Sequence, residues 1–391
     1  MHLLHFIPQF PWFGGRTIVG GHASCLFTLA LAQVAAGDEV TILTYMEGHR
    51  EPVEIVPGLT VHSLLDDARP GTVAFGLQMT RAAERWARRS SRAFDVVHGH
   101  SGFADYFIVT RRLSRILKRP SLHTLYCPIP ASGGRWRLPG VHTLVRGWAN
   151  GLDARVAMSE NVAGAMRDYG LRDVRVITPA LDLARFTPPA DPAPARAELG
   201  LGADDVAVLF VGNAKPQKNL SAVLRAFREI RRSHANARLV VTTELKQSSS
   251  DERLAALRQE MVDLGLEASV IQRGIVEDMP RLMQACDLLV APFLDSFGPS
   301  DYFMAALEAM ACGRPVVVSA VGGMPEVVSD RVGRLVDPHD DEQITAALEA
   351  LVADPAARRA AGAEARSYTE RHFDPSRVAD QYRGLYAELA K

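Results

Sequence analysis

The chain of 391 residues carries only four cysteines, Cys25, Cys127, Cys286 and Cys312, scattered and with no C-x-x-C pair. This argues against a disulfide scaffold or a zinc motif and predicts buried thiols in a reducing compartment. Net charge is nearly absent as well: 44 Lys+Arg against 45 Asp+Glu leave −1, so no global field favours nucleic acid. No apolar run approaches the roughly 20 residues of a membrane span. The opening MHLLHFIPQF has no basic n-region, and its apolar run stops at Pro8. No secretory signal is read there, and a cytoplasmic location is expected. Lysine is scarce too, so Lys215 and Lys218, three residues apart, stand out.

What is present fits a soluble globular protein, 47% hydrophobic and 23% charged. The length suggests two domains. The neutral total hides an asymmetry. Residues 1–178 hold 20 Lys+Arg and 14 Asp+Glu (+6), and the remainder 24 and 31 (−7). Part of the excess is Arg81, Arg85, Arg88, Arg89 and Arg92 in one predicted helix, and part is Arg111, Arg112, Arg115, Lys118 and Arg119 in another basic run.

Strand and helix patterns alternate along both halves, which implies parallel sheets covered on both faces. Strands are predicted at His2 to Ile7, Glu39 to Thr44, Leu59 to Leu65, Asp95 to His98 and Ser121 to Leu125, with helices at Ala23 to Ala35 and Thr72 to Arg92. Residues 186–205, FTPPADPAPARAELGLGADD, break the pattern and read as a connector. Alternation resumes at Val206, and from Asp340 the chain reads as helical with breaks at Pro355 and Pro375. The outline is two doubly wound domains facing one another, with ligands expected in the cleft at the carboxyl ends of their strands.

The most informative stretch is 285–327, ACDLLVAPFLDSFGPSDYFMAALEAMACGRPVVVSAVGGMPEVV. It reads as a buried strand, a polar loop, a helix over Phe303 to Cys312, a second strand and a Gly-Gly turn. Glu308 is the only carboxylate of that helix. A charge among apolar residues needs a partner, so Glu308 either meets a polar ligand or sits on a solvated edge. Three loops share this ambiguity. Gly20-Gly21 before the first helix could receive a phosphate on its N–H groups or be a plain turn. Lys215 and Lys218 in VGNAKPQKN could bind phosphate as point charges or be solvated. Ser300 and Asp301 could cap the Glu308 helix, touch a sugar hydroxyl, or both. His98, His100, His123 and Tyr126 lie at or beyond strand ends, with no nucleophile elbow in the chain.

LEAMACGRPVVVSAVGGMPEVV resembles the signature of glycosyltransferase family 4. GGHASCLFTLALAQVAAGDEVTILT, DVVHGH, VAMSENVAGAMRDYG, VITPALDLARFTP, VLFVGNAKPQKNL, GIVEDMPRLMQACDLLVAP and GRLVDP match it in order. The resemblance implies the GT-B architecture: an acceptor-binding domain over 1–185, a linker over 186–205, a nucleotide-sugar domain over 206–370, and a final helix over 371–391 packing back on the first domain. It implies a retaining hexosyltransferase with no resident cofactor or metal, whose co-substrate is a UDP-sugar or GDP-sugar, UDP favoured.

By match to the family, Glu308 would hold the donor ribose and Lys218 the diphosphate, with Gly20 and Gly21 near the phosphates and Ile275 at the base. Gly212, Lys215, Ser300, Asp301, Tyr302, Phe303 and Met304 complete the expected donor side. His100, His123 and Tyr126 are the acceptor-side candidates. Three departures stand out. Asn213 occupies the family's arginine position, where Lys215 could supply the charge, and is grouped with Lys218 and Glu308 as catalytic. Ser300, followed by Asp301, stands where a second glutamate is usual, and DYF replaces GFG. Tyr126 stands where a histidine is usual. Alternatives of a different class are a sugar-nucleotide isomerase of the same architecture and a non-catalytic sugar-nucleotide binder. The acceptor is expected to be a small soluble molecule in preference to a lipid-linked one, because neither basic run is paired with an aromatic-rich apolar face. Peripheral contact with the inner face of a membrane stays open, as does the oligomeric state.

Overall fold

The structure, a computed structural model, describes residues 1–12, 14, 20–49, 51–131, 138–243, 252–274, 276–296 and 300–391. The chain forms two compact units. The first comprises Met1–Leu181, Phe297–Asp301 and Phe373–Lys391, and the second Asp182–Ser296 and Tyr302–His372.

The first unit follows the order β1 (His2–Gln9), α1 (Gly21–Ala35), β2 (Glu39–Tyr45), β3 (Val53–Val56), β4 (Leu59–Ser63), α2 (Val73–Arg89), β5 (Val96–Ser101), α3 (Phe107–Leu117), β6 (Ser121–Leu125), α4 (Pro139–Ala149), β7 (Ala154–Ala157), α5 (Glu160–Asp168) and β8 (Val174–Val176). Its sheet runs β3-β4-β2-β1-β5-β6-β7-β8. All described pairs are parallel except β3 with β4. The chain grows outward from β1 to one edge and returns to β5 beside it, so β1/β5 is the topological switch point.

The second unit contains α6 (Ala193–Glu198), β9 (Val206–Phe210), α7 (Leu220–Ser233), β10 (Ala237–Val241), α8 (Glu252–Asp263), β11 (Val270–Gln272), α9 (Met279–Ala285), β12 (Leu288–Ala291), α10 (Met304–Ala311), β13 (Val316–Ser319), α11 (Met324–Val327), β14 (Gly333–Val336), α12 (Asp341–Val352) and α13 (Pro355–His372). Its six-stranded parallel sheet runs β11-β10-β9-β12-β13-β14, which puts the switch point at β9/β12. Strands such as VAVLF and LLVA are buried on both faces, and this explains their unbroken apolar runs. Residues 186–205, read as a connector, carry α6 and belong to this unit. Arg196 of α6 pairs with Asp287 at 3.1 Å and donates to the Ala285 carbonyl.

The last helix, α14 (Pro375–Leu389), belongs to the first unit. Its Val378, Tyr382, Leu385 and Tyr386 pack with Leu26, Leu29 and Ala30 of α1 in one core layer. The other face of that sheet is covered by α2 and α3 around Phe6, Phe75, Met79, Phe94 and Val97. Pro355 and Pro375 each open a helix, where a missing N–H costs nothing.

Gly99 shows how tight the packing of β5 is. A Cβ there would stand 1.9 Å from Thr110 Oγ1 and 2.3 Å from His123 Nδ1, two atoms already bonded to each other at 2.7 Å. Gly99→Ala is expected to destabilise the first unit by about 3 kcal/mol, the upper end of ordinary overpacking. All four tryptophans (Trp12, Trp86, Trp136, Trp148) precede residue 149, so their fluorescence in urea reports this unit. An unchanged midpoint would show that the contact is not enforced.

All four cysteines are buried, and none of them forms a disulfide. Burial pushes the Cys286 and Cys312 thiols up to about 12, so they are inert as nucleophiles at neutral pH. Among the described residues, no helix is long and apolar enough to cross a membrane.

Candidate active site

In the second unit, the loops that follow β9 and β12 leave neighbouring strands at the switch point, where ligands of such sheets bind. The β9 loop turns sharply through Gly212. A Cβ at Gly212 would meet the Phe210 ring at 2.9 Å, so glycine keeps the backbone in this path. Its N–H donates to Thr242 Oγ1 (3.1 Å), and its carbonyl accepts from Thr243 Oγ1 (2.6 Å). Asn213 is exposed, and its Oδ1 accepts from the Lys215 N–H at 3.1 Å. A 3₁₀ turn over Pro216–Lys218 follows. Asn219 then takes a left-handed conformation (φ 55°), and its amide donates to the Pro292 and Pro338 carbonyls.

Lys218 and Lys215 differ in setting. Lys215 is exposed. Lys218 is half-buried, and its Nζ stands 3.8 Å from the centre of the Phe293 ring, a cation–π contact. Burial lowers its pKa, an effect opposed by Asp295. The Phe293 ring lies 4.6 Å from Phe303, the residue that opens α10, and Ser319 Oγ holds the Phe293 carbonyl at 2.6 Å. A chain of contacts therefore leads from the Lys218 ammonium through two aromatic rings to the helix that carries Glu308.

Glu308 lies in the second turn of α10. Part of its surface stays open to solvent, and no described residue hydrogen-bonds its carboxyl. Burial pushes its pKa up to about 8, with Arg185 pulling the other way. An acid held near neutrality on an apolar helix at a strand's carboxyl end is poised to accept hydroxyl donors.

The remaining donor-side residues part company. Tyr302 donates to Glu326 Oε2 at 3.1 Å, the Phe303 N–H meets Met324 Sδ at 3.3 Å, and Met304 is buried. Ser300 Oγ meets Met158 Sδ at 3.5 Å, within the first unit. Asp301 is fully buried in that unit, where its carboxylate accepts from Ser159 Oγ (2.7 Å) and Asn161 Nδ2 (2.9 Å) and its N–H donates to the Tyr126 carbonyl (2.7 Å). Ser159 is also the N-cap of α5, so Asp301 is tied to a helix start. Ile275 lies outside the described residues. Gly20 precedes α1 at φ 102°, with open space around it, and Gly21 begins the helix, which has no side-chain cap.

The acceptor-side candidates are interior. His100 bonds Tyr126 through Nδ1 (3.0 Å) and His5 through Nε2 (2.8 Å). His5 reaches Gln33, and Gln33 reaches Tyr386. His98 joins Tyr386 to Thr124, and Thr124 joins Tyr382. His123 is held separately, between Thr110 and Ser101. Ligating atoms of His5, His98 and His100 come within 4.8 Å of one another, the spacing of a metal trio that the sequence did not suggest. All six of their ring nitrogens are engaged in the hydrogen bonds just given, so the set fits a closed polar network. Sequence reasoning missed this network, and also Phe293, Asp295, Thr242 and Glu326. Only Asp295 had a signal: a carboxylate in the loop before the Glu308 helix.

Comparison with known proteins agrees with the geometry. Residues 19–185 match the family model described as Glycosyltransferase Family 4, and residues 205–354 match the one described as Glycosyl transferases group 1. A D-inositol 3-phosphate glycosyltransferase of Xylanimonas cellulosilytica is 31% identical, over 96% of this chain and 94% of its own length. Another so named, from Segniliparus rotundus, is 34% identical over 54% of this chain and 46% of its own length. In structure, the chain resembles sucrose-phosphate synthase from Thermosynechococcus elongatus (TM-score 0.82, 22% identity, 99% and 98% of the two chains). It also resembles Anabaena Alr3699/HepE in complex with UDP-glucose (TM-score 0.73, 19% identity, 100% of each chain). The two Rossmann-like units are those of a GT-B glycosyltransferase. The chain belongs to glycosyltransferase family 4 and is a transferase of that type.

Proposed function

We propose that the protein moves a hexose-type residue from a nucleoside-diphosphate sugar, UDP in preference to GDP, to a hydroxyl of a small soluble acceptor, with retention at the anomeric carbon. The observation that carries this reading is the contact chain Lys218–Phe293–Phe303 leading into the helix of Glu308. It fixes a cation and a near-neutral carboxyl on adjacent strand ends of one unit. A nucleoside diphosphate asks for both: a positive charge for the phosphates and an acceptor for the ribose hydroxyls. Lys218 would offset charge on the departing diphosphate. Lys215, exposed on the same loop, would add charge where the family's arginine is absent. The names of the sequence relatives support a small polar acceptor, and the bound donor of the HepE complex supports uridine.

The test is a melting-temperature panel of UDP, GDP and their sugars, followed by transfer assays with polyol and sugar-phosphate acceptors. A ligand that binds only the folded state at 100 times its Kd adds about 2.7 kcal/mol of stability. A panel with no stabilising nucleotide, or sugar release that no acceptor ever captures, would overturn the reading.

Glu308 gives a sharper prediction. Its carboxyl is pushed up to about 8 in the free protein, so at pH 7 it is mostly protonated. Ribose hydroxyls donating to it favour the ionised form. Donor binding should therefore release a proton below pH 8. Affinity should rise with pH by up to about tenfold per unit and level off above pH 8. Glu308→Gln should cost about 1.5–3 kcal/mol of donor binding at pH 8 and abolish the pH slope. Calorimetry in buffers of different ionisation enthalpy reads both effects. A slope that survives in the variant would assign the proton elsewhere.

A further inference from the structure

The basic face of α2 borders a concavity of about 480 Å³ in the first unit, lined by Arg85, Trp86, Arg89, Ser90 and Arg92 together with His62 of β4. Small-molecule sites usually span about 300–1,000 Å³. Among the described residues, none of these three guanidinium groups has a carboxylate partner. The single acid of α2, Glu84, is engaged by Arg112 at 2.5 Å. Helix polarity explains part of the pattern, because Arg88 and Arg89 sit in the last turn where cations are favoured. It does not explain Arg85, a turn earlier, or Arg92, beyond the helix end.

Aromatic rings line part of the concavity. Trp86 packs edge-on against His62 (5.4 Å between ring centres) and tilts against Phe94 (5.9 Å). His62 Nε2 is buried, with no hydrogen-bond partner among the described residues. Burial, and then Arg92, lowers the pKa of His62, so at neutral pH the ring is uncharged. Ser90 Oγ accepts from the Arg92 N–H at 3.3 Å and keeps its own proton to donate.

We propose that this concavity is a phosphate-binding site, in which the guanidinium forks of Arg85, Arg89 and Arg92 clasp a phosphate group and the Ser90 hydroxyl supplies a neutral donor. Arginine suits phosphate because its planar fork bonds two oxygens at once. A bound dianion would also relieve the mutual repulsion of three unpaired cations. The phosphate could belong to a soluble phosphorylated compound or to the headgroup of an anionic lipid, since both present the same oxygens. The site lies in a different unit from Lys218 and does not depend on the donor assignment.

The experiment uses the full chain and two probes. Pyrophosphate is titrated by calorimetry into wild type, Arg85→Ala/Arg89→Ala, Arg81→Ala/Arg88→Ala and Lys218→Ala. Sedimentation with phosphatidylglycerol or phosphatidylcholine vesicles at physiological salt is run on the same proteins. Arg85 and Arg89 are exposed, so the fold should survive their loss, as the melting temperature verifies. The expected result is at least a tenfold loss of pyrophosphate affinity in Arg85→Ala/Arg89→Ala, with Lys218→Ala retaining that binding event. Arg81 and Arg88 share the helix but do not line the concavity, so their loss should cost much less. Vesicle retention that disappears with Arg85 and Arg89 would assign the phosphate to a headgroup, and pyrophosphate binding without retention would assign it to a soluble ligand. Equal losses in the two arginine pairs would reduce the effect to net charge and overturn the proposal. So would pyrophosphate binding lost only with Lys218→Ala, or no arginine-dependent binding of either probe.

Discussion

Lys218→Ala is expected to lower turnover by about 100- to 1,000-fold, the usual effect of deleting one preorganised group that stabilises transition-state charge. Lys215→Ala should leave it within a few-fold. The two lysines share a loop and a charge but not an environment. Lys218 is held over the Phe293 ring and half-buried, so its position is largely set before any ligand arrives. Lys215 projects into water, where its charge is screened and its side chain must be ordered on binding. Steady-state rates at saturating donor separate the two. Lys218→Arg should recover little: a guanidinium can also stack on the Phe293 ring, but its longer planar fork spreads the charge and moves it from the point that the compact ammonium holds. A larger effect from Lys215→Ala would mean that the loop's register was misread. Negligible effects from both would mean that this loop does not hold the diphosphate.

The two sheets and the Glu308 helix were legible in sequence because their causes are local. Runs such as VAVLF and LLVA can be satisfied only between two covered faces, and Pro355 and Pro375 mark helix starts wherever the helices pack. The edge strand β3 escaped notice because VEIV is short and only half-buried, so its pattern is faint. The short helix α6 escaped because its Pro/Ala composition resembles a connector, while its anchor Asp287 lies 91 residues away. Asp301 could be read as a helix cap or a sugar contact. Its carboxylate accepts from Ser159 and Asn161, residues 142 and 140 positions earlier, and no local pattern announces such a pairing. In the same way, VVHGHS displays two histidines on one strand face but says nothing of Tyr386, 288 positions from His98. A buried polar side chain is interpretable only with its partners, and those partners come from tertiary structure.

That histidine network sets the second large expectation, a loss of first-unit stability in mild acid. His5, His98, His100 and His123 are each at most 1% exposed. Burial lowers His5 to about 4 and His123 to about 3, and holds His98 and His100 well below their ordinary value, helped by their mutual proximity. Tyr126, Tyr382 and Tyr386, which face the cluster, are pushed upward, so they stay neutral and add no countercharge. Asp38 is the carboxylate that acts on His5, as the last of its three influences. The unfolded chain binds protons at these histidines from about pH 6.5 downward, whereas the folded chain does not. Stability is therefore full above about pH 6.5, falls as the pH drops, and stops falling from this source only below the folded pKa values. One unit below 6.5, His5 and His123 each cost on the order of 1 kcal/mol, and His98 and His100 act in the same direction, a noticeable share of a typical domain's stability. Tryptophan-monitored urea unfolding at pH 7.5 and 5.5 measures this in the first unit. Carboxylates also contribute in acid, so the decisive comparison is His123→Asn, which removes one titrating ring and should shrink the loss by on the order of 1 kcal/mol. An undiminished loss would place the acid sensitivity in other groups, and no loss at all would mean that the buried rings accept protons without disrupting the fold.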